Sequence, residues 1–410
     1  MTQASELPAH LETGAPADAR VGTVRAYLSL LLLVVGVVSW RRRTYFDGGF
    51  DPVVVIKAML VTLAVLLAIT IPKRVAWERL PTGILAILII YSVETTVGGW
   101  ASGSIFSAAV LSVRLLLTAS VIIVLVAKYE GLELFAMLRN VMLAVGLVSM
   151  ATGGTSTGRL TGGIPPLSPN ELALLFGVTV LSLAWTLLHG NGPRFGGLAL
   201  VLLLAAVFLT GSRTGLAFLI VALIAMVVQC RRVPIMAFFA AVAVIPAMVY
   251  IIGATGVVST FADRGGEGNI TTLSSRTIAW SAAFDQGDNI PEKLFGGGLA
   301  LKQIPVAGQY WNQQTLDSTW ISALVQGGYL GVVLLIMWVF AAMGASFRSA
   351  RPERLLWTSL LIFVVGRSFL ESGMLDSTAA FLVFFTVCLV GRRPFVSRRL
   401  PPVLATPPGG

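Results

Sequence analysis

Apolar runs separated by short polar joints fill most of this chain, and their lengths set the first expectation. They fall at about 24–40, 53–71, 83–97, 105–127, 132–150 and 172–188, then at 195–209, 214–228, 234–253, 319–343, 355–370 and 378–390. A helix crossing a bilayer needs about 20 apolar residues, so the pattern predicts roughly twelve spans, several of them short. The run at 132–150 contains Glu133, Arg139 and Asn140, which predicts that it begins as a helix lying in the membrane interface. Between about 254 and 318 the apolar pattern stops, and a connection of that length is typical of functional loops and lids.

The fold class expected is all-α: a polytopic integral membrane helix bundle at 23–391, with short helices in its long loop at 254–318. Residues 1–22 and 392–410 read as tails. The opening "MTQASELPAHLETGAPADAR" is acidic and Pro/Ala-rich and lacks the basic start and short apolar core of a signal peptide. Tails of this composition are expected to be disordered.

Composition agrees with a membrane bundle. Of 410 residues, 56% are hydrophobic and 12% charged, outside the range of soluble domains. A net charge of +10 would suit a nucleic-acid partner, but Lys and Arg lie in the joints between apolar runs rather than on one soluble face. The positive-inside rule accounts for most of the excess. With the N-terminus inside, sixteen Lys and Arg fall on the cytoplasmic side, nine outside, and four (Lys57, Arg114, Arg139 and Arg367) within spans. Both termini are thus expected in the cytoplasm and the 254–318 loop outside. Arg41, Arg42 and Arg43 run against this orientation. Cys230 and Cys388 sit far apart with no CxxC or Cys/His pattern, so neither a metal site nor a disulfide framework is indicated.

Four stretches on the expected outer face carry candidate chemistry. "GSRTG", residues 211–215, joins two apolar runs. Ser212 or Thr214 is placed to cap the following helix, and a guanidinium above a helix N-terminus makes an anion site. The bland reading is that Arg213 anchors a helix to headgroups. "LSSRTIAWSAAF", residues 273–284, predicts a short amphipathic helix with Ile278, Ala282 and Ala283 at helical spacing. Gly296, Gly297 and Gly298 follow, either as a turn or as a nest of amides for an anion. "TGRLTGGIPPLSPNELALLFG", residues 157–177, starts a helix with Ser168 or Asn170 as cap and Glu171 in the favourable first turn. "LDSTWISALVQGGYLG", residues 316–331, puts Asp317 at the mouth of a span, as a cap or as a proton acceptor. Elsewhere Arg367 and Glu371 are spaced to pair with one another, and Arg114 is expected to find a carbonyl or Glu94 inside the bundle.

These stretches, in this order, resemble the O-antigen ligase and polymerase superfamily. The resemblance rests on Gly163 through Pro169 with Asn170, Glu171 and Ala173, and on Gly211, Ser212, Arg213, Thr214 and Gly215. Ser275, Arg276 and Trp280, then Phe295, Gly296 and Gly298, then Asp317, Ser318, Trp320, Gly328 and Gly331 complete the set. It covers roughly 153–390, and while each motif is loose, the ordered series is specific. One departure matters: ligases of the family carry a histidine where this chain has Asp317. Its only histidines are His10 and His189, in the tail and in an expected cytoplasmic joint.

The resemblance implies a metal-independent, cofactor-free glycan transfer on the outer leaflet of a bacterial cytoplasmic membrane. Its donor would be a glycan on a polyprenyl pyrophosphate and its acceptor a second glycan or a lipid, with membrane lipids and envelope-assembly proteins as further partners and no nucleic acid. Arg213 and Arg276 would take the leaving pyrophosphate, Asp317 or Glu171 would orient or deprotonate the acceptor, and Arg159, Asn170, Ser212, Ser275, Trp280 and Gly298 would line the substrate site. The missing histidine points to a polymerase, or to a ligase that uses a carboxylate. Two rival classes remain from the sequence: a transporter or flippase of an anionic lipid-linked sugar, and a structural subunit of an envelope complex. Transporters often carry inverted repeats, and none is visible between the two halves of this chain.

Overall fold

The computed structural model describes residues 17–41, 46, 48–72, 80–156, 158–190, 192–230, 275–285, 289–306 and 313–391. Eight long helices come first: α1 (Ala17–Val37), α2 (Pro52–Ile69), α3 (Thr82–Ala101), α4 (Ile105–Val126), α5 (Gly131–Ala151), α6 (Pro169–Leu188), α7 (Gly196–Leu209) and α8 (Arg213–Gln229). Two short helices, α9 (Ser275–Phe284) and α10 (Ile290–Phe295), precede α11 (Thr319–Arg348), α12 (Arg351–Ser368) and α13 (Ala379–Val390). Two small antiparallel hairpins pair β1 (Gly154–Ser156) with β2 (Arg159–Thr161) and β3 (Gln303–Pro305) with β4 (Gln313–Thr315).

Six helices, α2 to α6 and α11, are long and apolar enough to cross a membrane, and α7, α8, α13 and the Val21–Val37 part of α1 are shorter apolar helices. The protein is an all-α polytopic membrane bundle, as its hydrophobic pattern predicts. The span expected at 234–253 lies outside the described residues, as do 1–16 and 392–410. The run at 132–150 forms one helix. Helix α5 runs unbroken from Gly131, because Glu133 sits in the first turn, where the helix dipole favours it. Arg139, partly buried, donates to the Ser182 hydroxyl at 2.8 Å and to the exposed Asn140 amide oxygen.

Successive helices alternate in direction, so the joints collect at two ends. At one end the Lys128 ammonium donates to the carbonyls of Ala68, Ile69 and Ile71. A cation over the last carbonyls of α2 satisfies groups the helix leaves open and complements its dipole. At the other end, called here the loop end, lie both hairpins, α9, α10 and the joints at 38–51, 102–104, 152–168, 210–212 and 369–378.

Between the ends, packing is by large rings set against small residues, as expected where lipid offers no hydrophobic drive for helices to associate. Trp338 of α11 meets Phe381, Phe384 and Phe385 of α13, and Phe135 of α5 stands edge-on to Trp357 of α12. Gly177 faces the Phe363 ring, and Gly366 the Phe218 ring, so closely that a Cβ at either would strike it.

The long connection docks onto the bundle through a break in α11. Gly328 has φ +61 and ψ −158, which interrupts the helix, and such a conformation is open to glycine and strained for other residues. The break leaves the Val325 and Gln326 carbonyls without helical donors, and the amides of Gly297 and Gly298 take them at 2.9 Å each. On the other side, the Ser102 and Ser104 hydroxyls at the α3–α4 joint donate to the Gly297 carbonyl. The three glycines at 296–298 are therefore a turn that locks the loop to the bundle, with the amides of Gly297 and Gly298 spent inside the protein.

Candidate functional site

The "GSRTG" joint is built residue by residue. Gly211, at φ +61, ends α7 in the left-handed conformation that helix termini favour. Ser212 caps α8 by accepting from the Gly215 amide at 3.3 Å, and its own amide donates to the Thr210 hydroxyl at 3.2 Å. Gly215 lets α8 lie against Ala173 of α6. Arg213 is thus fixed as the first residue of α8 and is exposed, while Ser212 and Thr214 on either side are buried.

Arg159 joins this turn to the start of α6. Its Nε donates to the Thr210 carbonyl at 3.1 Å and its Nη2 to the Asn170 side-chain oxygen at 3.0 Å. The β1–β2 hairpin presents it there, with Arg159 paired to Ser156 in register. A planar guanidinium suits such a bridge, since its forked donors reach two acceptors without rotating.

Asn170 and Glu171 open α6 behind a capping box. Ser168 accepts from the Glu171 amide at 3.2 Å while a Glu171 oxygen accepts from the Ser168 amide at 2.9 Å. The second Glu171 oxygen accepts from the Ser39 amide at 3.1 Å. Of the two cap candidates, Ser168 is the one used, and both oxygens of Glu171 hold backbone amides.

The start of α11 completes the cluster. Its cap is Ser318, whose side chain accepts from the Ile321 amide, so the capping role considered for Asp317 falls one residue later. Asp317 is half-buried at the mouth of α11. Ser318 also donates to the Ser368 carbonyl, Trp320 donates to the Ser368 hydroxyl at 3.0 Å, and its ring stacks on Phe369. These contacts tie α11 to the end of α12, where Arg367 donates to the Asn170 carbonyl at 2.8 Å.

The structure thus brings together Arg159, Asn170, Glu171, Ser212 and Arg213 directly, with Asp317 joined to them through Ser318, Ser368 and Arg367. Trp280 and Gly298 belong to a neighbouring part of the loop end. Trp280 of α9 packs beside a small apolar cluster of Ala279, Ala283, Ile304, Val306, Leu316, Ile321 and Val325. Helix α9 forms as expected, although its deepest residues are Ala279 and Ala283, with Ile278 and Ala282 only partly buried. It starts at Ser275, but the side chains of Ser275 and Arg276 lie outside the described residues.

Three buried charges were given too small a part by sequence. Arg367, expected to pair with Glu371, reaches into the site through Asn170. Lys57 of α2 is buried and donates to the Val38 carbonyl at 2.7 Å, next to the residue whose amide binds Glu171. Both were visible as charges within apolar runs, which mark functional or structural sites in membrane proteins. Glu94 of α3 is 3% exposed, with neither oxygen hydrogen-bonded among the described residues, against Gly327 and Gly331 at the break in α11. Arg114 finds carbonyls, as one expectation had it, at Gly36 and Ser377. Arg41 of the basic cluster forms an ion pair with Asp51, the cap of α2, at 3.1 Å. Arg42 and Arg43 lie outside the described residues.

Chemically, the arginine cluster is suited to an anion. A cation at the first position of a helix is disfavoured by the helix dipole, and a phosphate above α8 would be attracted by both the guanidinium and the open amides. No curated protein matches this chain. A family model described as O-antigen ligase matches residues 198–336, a segment that carries the arginine turn, the glycine turn, Asp317 and the broken helix. Over that segment the chain is similar to the O-antigen ligase family, in agreement with the resemblance that its motifs carry.

Proposed function

We propose that the protein is a glycosyltransferase of the cytoplasmic membrane, acting at its outer face on a glycan carried by a polyprenyl pyrophosphate. The observation that carries this reading is the pair of hydrogen bonds that Arg159 donates to Thr210 and Asn170, because it gathers separate sequence motifs around one exposed arginine at a helix start. The site lies at the end of an apolar bundle, where a lipid tail in the bilayer and a pyrophosphate at its surface are reached together.

In the reaction, an acceptor hydroxyl attacks the anomeric carbon of the donor sugar. A carbon–oxygen bond to the acceptor forms, the bond to the pyrophosphate oxygen breaks, and the carrier pyrophosphate leaves with the electron pair. Arg213, helped by Arg276, stabilises the growing negative charge, a task for preorganised cationic donors. The acceptor proton passes to a carboxylate. Of the two candidates we assign Asp317, which lies half-buried at the mouth of α11, where the resemblance puts the histidine of family ligases. Arg159, Asn170 and Arg367 hold the pieces in register, and positioning of this kind supplies much of a transferase's rate. We further propose that transfer needs neither metal nor cofactor and that Asp317, replacing the histidine of family ligases, marks a polymerase.

Reconstitution in liposomes with a polyprenyl-pyrophosphate oligosaccharide tests the reading. A ladder of lengthened glycans is expected. Transfer only to an added lipid acceptor would make the protein a ligase, and movement of the donor across the bilayer without product would make it a transporter.

A further inference from the structure

A second concavity at the loop end lies apart from the arginine cluster. It encloses about 320 Å³ between α9, α10, the α3–α4 joint and the outer half of α11, lined among others by Ser102, Phe284, Glu292, Lys293, Gly297 and Tyr329. None of its lining residues belongs to the arginine cluster.

Three properties of this cavity bear on what fits it. First, its charges are balanced. Glu292 and Lys293 contribute one of each sign, which suits a neutral polar ligand better than a pyrophosphate, and the Ser102 hydroxyl adds a hydrogen-bonding group. Second, Phe284 and Tyr329 are 68% and 58% exposed, so two aromatic faces stand open beside the polar groups. The cavity surface is more polar than apolar, as a sugar unit rich in hydroxyls requires, and its volume is at the small end of small-ligand sites. It has room for a sugar unit but not for a polyprenyl chain.

Third, the cavity is held rigidly. Its floor at Gly296 and Gly297 is fastened to Val325 of α11 and to Ser102 and Ser104. Its wall includes Leu324 and Val325 of the same half-helix whose cap, Ser318, is bonded to the end of α12 beside Arg367. From Ser318 to Val325 that half-helix rises roughly 10 Å at 1.5 Å per residue. A single rigid element therefore spans from the arginine cluster to the cavity, with Asp317 at its near end.

We propose that this cavity is a subsite for a sugar unit of the acceptor glycan, recognised by Glu292, Lys293 and the Phe284 and Tyr329 rings. The inference rests on the transferase reading above, to which it adds the place of the second substrate. A transfer between two glycans needs donor and acceptor held at different addresses. The bundle provides a cationic one for the leaving group and a charge-balanced, aromatic one about a helix turn or two away.

The test uses the full-length protein in lipid nanodiscs, with a carrier-free oligosaccharide repeat as the binding probe and the carrier-linked form as donor. Glu292→Gln, Tyr329→Ala and Phe284→Ala are measured beside the parent protein, with thermal unfolding as a check on folding. Saturation-transfer signals from the carrier-free probe, weakened in the variants, are expected. So is an acceptor KM raised about ten-fold, the scale of one lost hydrogen bond to a charged group, with donor KM unchanged. If the parent protein transfers glycan and folded variants keep its acceptor KM, or if donor KM rises with it, the subsite is overturned and the transferase reading stands. If the parent protein binds the probe through these residues but forms no product, the subsite survives and the transferase reading fails. An absence of probe binding to the parent protein overturns the subsite.

Discussion

Arg159 donates to Asn170 at 3.0 Å and, with its other edge, to the carbonyl of Thr210 at 3.1 Å, so one guanidinium fastens the start of α6 to the turn that carries Arg213. In this account the bridge holds the donor site in shape without itself taking the leaving group.

Substituting Arg159 therefore tests positioning. Hydrogen bonds from charged donors are worth roughly 1.5 to 3 kcal/mol each. Arg159→Ala should lower glycan transfer at least about ten-fold by that measure while the protein is still inserted and folded. Arg159→Lys keeps the charge but loses the fork, and should fall between. Equal activity in the lysine variant and the parent would mean that only charge matters there.

Glu171 separates a structural from a catalytic carboxylate. Its oxygens accept from Ser168 and Ser39, so Glu171→Gln should keep most activity and lose stability by about 1 kcal/mol, the usual scale of a cap. Asp317→Asn should cut kcat strongly at unchanged melting temperature. The opposite pattern, with activity lost at position 171 and kept at 317, would exchange the two roles.

The break in α11 predicts a contrast between two glycines of one helix. A Cβ at Gly328 would meet the backbone of Leu294 and Lys293, at a φ of +61, so Gly328→Ala should strip the long connection from the bundle and abolish stable expression. Gly344 has open space around it, and Gly344→Ala should be neutral or stabilise by about 0.5 to 1 kcal/mol. Melting curves in detergent distinguish them; equal curves would mean that the break is not needed to hold the loop.

Glu94 predicts a gain rather than a loss. A buried polar side chain without partners is costly, by about 1 to 3 kcal/mol or more when charged. Glu94→Met should raise the melting temperature with transfer preserved. Loss of transfer in a well-folded Glu94→Met protein would make this carboxylate a working part of the enzyme.

Much of this architecture was legible in the chain. Apolar runs placed the described spans to within a few residues, because burial in lipid forces every backbone group into a helix. The caps of α6 and α8 could be narrowed to Ser168 or Asn170 and Ser212 or Thr214, since capping depends on local residue types. Contacts between distant segments were not legible. Nothing local in "TGRLTGG" says that Arg159 will reach both Asn170 and Thr210, and nothing near Gly296 says that its neighbours will spend their amides on a break in a later helix. The second partner of Arg367 was hidden for the same reason: the i to i+4 neighbour Glu371 is visible in sequence, whereas the carbonyl of Asn170, 197 residues away, is not.

The most direct measurement is the rate of glycan transfer by purified Arg213→Ala protein in liposomes, at matched insertion and with a polyprenyl-pyrophosphate donor. The account predicts a fall of about 100-fold or more in kcat, the scale seen when one preorganised donor to a developing anion is removed, with the melting temperature unchanged. Transfer at the parent rate would contradict it, and would leave Arg213 as an anchor to lipid headgroups.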